Sequence, residues 1–319
     1  MTKHSTAQRL KILKALAFSQ LCAIDTIFYA LHHEYRCSII KIVYTHLRMI
    51  IIGFSVCSLK GPVSVIRTSP VFSRLHGGKN VYGMLNSLPS PMLCEMLAFA
   101  GYDFVILDLE HLLRSEEELM HCIRACEAAG ISPWLRMPQV DQKLIGRALD
   151  AGIEAIVLSR TESAEQVRCA IEAAFFPPLG KRGITGGRIT GFGRLSLPDY
   201  IELANRQTPI IPMIESRAGV EALGDILQLA GVGMIMEGAL DLALDLGLGP
   251  DPLNPLVWQA LQGMADACLG AGVAFCANPR TAEQNAQWRS RGVRSFLAGE
   301  DRGLLHNALK ARLHSLQQQ

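Results

Sequence analysis

The chain predicts an α/β fold: a (β/α)8 TIM barrel with a non-core N-terminal extension. Three observations carry this. From about residue 80, apolar β-type runs alternate with helical stretches, the pattern of βα units around a parallel sheet. The runs number eight, and the 319 residues leave room for a barrel of about 250. Several runs also end in a charged residue at their C-terminal tip, where a barrel of this type carries its active site.

The first 70 residues stand apart. They hold 9 Lys and Arg against 2 acids, whereas residues 71–319 hold 22 against 27. The mild acidity of the larger part argues against a nucleic-acid partner. The segment IIKIVYTHLRMIIIGFSVCSLK is apolar but is interrupted by Lys41, His46 and Arg48. It falls short of the roughly 20 clean residues of a membrane helix, and no secretory cleavage pattern is clear. Residues 1–70 read as a poorly ordered extension or the product of an upstream start codon, with a membrane or targeting role as the alternative. Residues 71–319 read as the catalytic barrel.

The predicted strands are 81–86 (VYGMLN), 104–109 (FVILDL), 131–136 (ISPWLR) and 154–158 (EAIVL), then 209–214 (PIIPMI), 233–237 (GMIME), 273–277 (VAFCA) and 294–298 (RSFLA). Between them lie helical stretches such as SEEELMHCIRACEAAG, where Ser115 and Glu118 have the spacing of a capping box. Ala100-Gly101, Ala129-Gly130, Ala151-Gly152 and Ala271-Gly272 place a glycine where a helix end needs a left-handed residue. A doubly wound open sheet is the rival, but it has no need of the eighth strand. Residues 175–200 (FFPPLGKRGITGGRITGFGRLSLPDY) form a long loop with six Gly, three Pro and four basic residues. Placed after strand four on the face of the charged tips, it suggests a lid or an anion grip through Lys181, Arg182 or Arg188; a plain surface excursion is the alternative. GKRGITGG is not a Walker A loop, because no Lys-Ser/Thr follows its second glycine in register.

The nine cysteines show no CxxC pair. They read as core or helix-face thiols of a reducing cytoplasm, although Cys122 and Cys126, four apart on a helix, could form a metal pair. Glu215 and Asp241 lie at or just past the ends of PIIPMI and GMIME, one βα unit apart. Two carboxylates without Cys or His suit a hard cation, Mg²⁺ or Mn²⁺, that keeps several waters; capping of the following helices is the alternative. Arg136 ends strand three, where it can hold a growing enolate charge or pair with Asp108 or Glu110 across the mouth. His111 follows Glu110 and is a candidate general base, or else a solvent-facing histidine at a helix start.

LDLEH, LRMP, FFPPLGKRG, MIES and EGALDLA, in this order, resemble the HpcH/HpaI family of metal-dependent class II aldolases over roughly residues 72–315. The resemblance implies that Glu215 and Asp241 bind the metal, that Arg136 contacts the keto oxygen of a 2-oxo acid, and that His111 moves a proton. It implies that Asp150 reaches the histidine of a neighbouring subunit, so that a homo-oligomer of dimers, up to a hexamer, completes the site. The chain departs from the family pattern at Met213, where glutamine is usual, at Gly238-Ala239-Leu240-Asp241, where Gly-Pro-Ala-Asp is usual, and at the preceding Glu237. These departures resemble the branch that condenses oxaloacetate with acetyl-CoA into citrate for carboxylate siderophores; Arg182 and Arg188 are then candidates for the second carboxylate. A retro-aldolase releasing pyruvate from a 4-hydroxy-2-oxo acid is the alternative. The expected partners are a small 2-oxo acid and further copies of the chain, with no nucleic acid and no membrane. Two rivals are a non-catalytic barrel and a phosphoenolpyruvate-type mutase or lyase. The latter would need a nucleophilic strand-end cysteine, and Cys276, which comes nearest, reads as a packed barrel residue.

Overall fold

The computed structural model describes residues 70–318; apart from Pro70, the proposed extension 1–70 lies outside them. Eight parallel strands close into a barrel in sequence order. They are β1 (Val81–Asn86), β2 (Phe104–Asp108), β3 (Ser132–Met137), β4 (Ala155–Leu158), β5 (Ile210–Ile214), β6 (Met234–Glu237), β7 (Ala274–Ala277) and β8 (Ser295–Glu300). Every predicted strand is present, with ends moved by at most two residues.

The helices are α1 (Pro70–His76), α2 (Pro91–Phe99), α3 (Glu116–Ala129), α4 (Gln142–Ala151), α5 (Ala164–Ala174), α6 (Leu197–Gln207) and α7 (Arg217–Ile226), followed by α8 (Ala239–Asp245), α9 (Pro255–Gly270), α10 (Ala282–Ser290) and α11 (Asp301–Gln317). Local chemistry sets their ends. Ser115 and Glu118 form the expected reciprocal capping box on α3, and Ser163 with Gln166 forms a second on α5. Gly130 and Gly152 close α3 and α4 in the left-handed conformation. The Ala-Gly pair at 271–272 behaves differently: Ala271 caps α9 in a right-handed conformation and Gly272 is the left-handed residue after it.

Alternation along the strands divides the core. Inward residues of successive strands, among them Phe104, Trp134, Ile211, Met236 and Cys276, fill the barrel interior, and Phe104 stacks on Trp134 at 3.9 Å. Gly83 is required here, since a Cβ would stand 1.9 Å from the Phe104 ring. Val71 and Phe72 of α1 close the floor, with Phe72 stacked on Trp134. Outward strand residues pack against the helix layer in a larger cluster. Cys276 is fully buried and its thiol is pushed up to about 12 by burial, so it packs as expected rather than attacking.

One feature departs from expectation and a second marks the C-terminal helix. The loop after residue 174 follows α5, not β4. Helices return antiparallel to the strands, so 175–196 lies at the end of the barrel opposite the strand tips, packed through Phe176, Ile189 and Tyr200. And α11 buries only Asp301 and leaves Leu304, Leu305, Leu309, Leu313 and Leu316 about half exposed. Among the described residues no helix is long and apolar enough to cross a membrane.

Candidate active site

The C-terminal ends of β2, β3 and β5 gather four charged groups at the barrel mouth. Asp108, fully buried at the tip of β2, accepts a hydrogen bond from Arg136 Nε at 2.8 Å across the pair β2–β3, in which the two residues are register partners. Arg136 Nη1 stands 2.9 Å from Glu110 Oε2. The sequence left open whether Arg136 pairs with Asp108 or Glu110; it pairs with both. Its charge and hydrogen bond hold the Asp108 carboxyl below its ordinary range despite burial. Asp108 Oδ2 is buried without a hydrogen-bond donor, and Glu110 Oε2 is buried with the Arg136 ion pair as its contact. His111 is more than half exposed, 3.7 Å from Glu110.

Glu215 follows β5 directly and is 4% exposed. It does not cap α7, because Ser216 does so by accepting from Gly219 N–H. Its carboxylate accepts the Arg160 backbone N–H at 2.5 Å. Gly238 makes room beside it, since a Cβ there would stand 2.3 Å from Glu215 Oε2. Burial pushes the Glu215 carboxyl up to about 7; the Glu110 and Asp241 carboxylates push the same way, while the Arg160 N–H and the Arg136 charge oppose. Asp241 lies in the first turn of α8, exposed, close enough to Glu215 to act on it.

This concentration of negative charge around a buried carboxyl fits a bound dication, and donors that are oxygen alone fit a hard one. Among the described residues no three His, Cys, Asp or Glu side chains converge as a ready-made cage. Glu215 and Asp241 would offer two carboxylates to such a cation, which would draw its other ligands from water and substrate oxygens. Cys122 and Cys126 are buried in the α3 seam and belong to no such group.

The other expected site residues lie elsewhere. Asp150 is near the C-terminus of α4, at the end of the barrel away from its own His111, and pairs with Arg182 Nη2 at 2.7 Å. Arg182 is buried, donates to Tyr200 Oη at 2.9 Å and stacks over Phe176 at 4.7 Å. Arg188 pairs with Glu127 and donates to the Ala151 carbonyl. Within one barrel neither arginine can meet a substrate held at the strand tips, so the expected placement of this loop at the mouth is corrected: both arginines secure the loop against the ends of α3 and α4. α5, whose start Ser163 and Gln166 signal, lies between β4 and the loop and carries the chain to the far end of the barrel. Lys181 likewise pairs with Glu172. Glu237, the last residue of β6, is buried and accepts from Asn278 N–H at 2.7 Å and from Arg280 Nη1 at 3.1 Å, beside the end of β7. Sequence reasoning missed Arg160, whose backbone serves the site and whose side chain gives no signal of it.

A family model described as HpcH/HpaI aldolase/citrate lyase matches residues 82–308. A hydroxypyruvate/pyruvate aldolase of Delftia acidovorans is 31% identical over 77% of this chain and 91% of its own length. A 2-keto-3-deoxy-L-rhamnonate aldolase of Klebsiella pneumoniae is 28% identical over 79% and 94%. Among solved structures, the citrate synthase SbnG superposes with a TM-score of 0.72 at 36% identity, covering 78% of this chain and 97% of that one.

Proposed function

Because the chain belongs to the HpcH/HpaI aldolase/citrate lyase family, we propose that its barrel mouth makes or breaks a carbon–carbon bond of a 2-oxo acid, and that the reaction is citrate synthesis from oxaloacetate and acetyl-CoA. The observation that carries the chemistry is the convergence of Glu215, Asp241, Arg136 and His111 at the strand tips. The likeness to SbnG along 97% of that chain supports the choice of citrate. Cleavage of a 4-hydroxy-2-oxo acid to pyruvate is the second reading, favoured by the likeness to the two aldolases.

Glu215 and Asp241 would hold Mg²⁺ or Mn²⁺, which when bound supplies Lewis-acid polarisation of the keto oxygen. The Arg136 guanidinium, oriented by Asp108 and Glu110, faces the same mouth and stabilises the negative charge that develops on that oxygen. His111, beside Glu110, takes the proton from the acetyl methyl of acetyl-CoA. The resulting carbon nucleophile attacks the keto carbon, and water then hydrolyses the thioester, giving citrate and CoA. In the cleavage reading the base takes the 4-hydroxyl proton instead, and Arg136 stabilises the departing pyruvate enolate.

Asp150, too far from its own His111, would reach that of a second copy. The exposed leucines of α11 support an assembled state. Supplying oxaloacetate with acetyl-CoA in one reaction and a 4-hydroxy-2-oxo acid in another, and identifying products by mass, separates the readings. Citrate in the first supports synthesis; pyruvate in the second alone replaces it with cleavage.

A further inference from the structure

Arg160 is one of two non-glycine residues among the described ones with a positive φ; at 40° it lies in the left-handed region, two residues after the end of β4. A side chain there crowds the following carbonyl, so the conformation persists only where surroundings enforce it. In this turn the Arg160 N–H donates to Glu215 Oε1, 2.5 Å away.

The enforcing contacts converge on Asp245. Its Oδ1 accepts from Arg160 Nη2 at 2.8 Å, and its Oδ2 accepts from the Arg217 backbone N–H at 2.8 Å. Arg217 opens α7 two residues after Glu215, and Asp245 ends α8, one turn after Asp241. A single carboxylate thus joins the turn that holds Glu215, the helix that follows Glu215 and the helix that carries Asp241. Glu162, 3.1 Å from Arg160 Nε, secures the guanidinium from the other side.

We propose that Asp245 and Arg160 are positioning residues that set the relation of Glu215 to Asp241: Asp245 clamps Arg160 in its left-handed conformation, and that conformation fixes the Glu215 carboxylate. The inference rests on the reading of Glu215 and Asp241 as the cation-binding pair. Glycine adopts a positive φ freely and alanine does not. Arg160→Gly removes the side chain yet keeps the N–H aimed, whereas Arg160→Ala removes the clamp and retains the crowding.

The test is Mn²⁺ affinity of the full-length, cation-free chain, read by the electron paramagnetic resonance signal of free Mn²⁺. Arg160→Gly should bind within about threefold of wild type and Arg160→Ala about tenfold more weakly. Asp245→Ala should weaken binding about tenfold with Arg160 present and by much less in the Arg160→Gly background. Glycine is also the less strained residue at this φ, so Tm is measured beside affinity: a merely structural role predicts that affinity follows Tm across the variants, whereas the clamp predicts weaker binding by Arg160→Ala and Asp245→Ala at temperatures where each chain is fully folded. Equal affinities for Arg160→Gly and Arg160→Ala, or an Asp245→Ala effect identical in both backgrounds, would overturn the inference. Glu215→Gln serves as the control for its premise. If that variant binds Mn²⁺ like wild type, the cation assignment itself falls; if it loses binding, any failure belongs to the clamp alone.

Discussion

Adding one methyl group at Gly238 should damage the active site while leaving the barrel folded. The backbone there has φ −129° and ψ 74°, outside the left-handed region that favours glycine, so the new side-chain contact is the main cost of the substitution. Its Cβ would stand 2.3 Å from Glu215 Oε2 and 2.5 Å from Glu215 Cβ. Ordinary contact lies near ~3.5 Å, so the Glu215 side chain must retreat by about 1 Å. Overpacking of this kind costs about 1–3 kcal/mol, which lowers Tm by a few degrees in a domain of this size. A displacement of about 1 Å at a catalytic group can cost about 100-fold in rate. Gly238→Ala should therefore melt within about 10 °C of wild type, bind Mn²⁺ more weakly and lose about 100-fold in kcat/KM. Calorimetry, Mn²⁺ titration and steady-state rates on one preparation decide it. Wild-type metal affinity together with wild-type kcat/KM would refute the reasoning, because the cavity beside Glu215 would then be incidental.

Two further outcomes follow from the same geometry. Glu215 has its folded pKa raised from 4.5 to about 7, so its contribution favours the cation-free folded state below pH 4.5 and is lost as pH rises through about 7. The Tm of wild type relative to Glu215→Gln, in chelator, should fall between pH 5 and pH 8 by an amount reflecting up to about 3 kcal/mol; parallel curves would contradict the assignment of strain to this carboxyl. If Asp150 serves a neighbour's His111, mixing inactive His111→Ala with inactive Asp150→Ala, after dissociation and reassembly, should restore up to about a quarter of wild-type activity through shared sites. No recovery in mixed oligomers of confirmed composition would confine each site to its own chain.

The fold was legible because each barrel unit repeats its own signals. VYGMLN, FVILD and IIPMI are apolar runs bounded by caps and glycines, and burial on both faces explains why they carry little polar alternation. The strand-tip placement of Arg136 and Glu215 was legible for the opposite reason: charges beside buried strands have few places to go. The loop at 175–196 misled because its glycines announce a turn without saying at which end of the barrel it lies. Only the count of intervening helices settles that, and α5 is the one that moves Arg182 and Arg188 from the mouth to the far end. Arg160 was invisible because its contribution is a backbone N–H in an unusual conformation, which no side-chain pattern encodes. The partners of Glu237 were hidden for a related reason, since they depend on how the segment after β7 folds back over β6.

The central claim is that the strand-tip groups Glu215, Asp241, Arg136 and His111 join acetyl-CoA to oxaloacetate. The most direct test is thiol release from acetyl-CoA by the purified full-length chain with Mg²⁺ or Mn²⁺, with and without oxaloacetate, beside Glu215→Ala. The account predicts CoA and citrate in equal amounts, only when oxaloacetate and the cation are both present, and at least about 100-fold slower in the variant. Thiol release that Glu215→Ala leaves unchanged, or none at all from an enzyme that instead frees pyruvate from a 4-hydroxy-2-oxo acid, would contradict it.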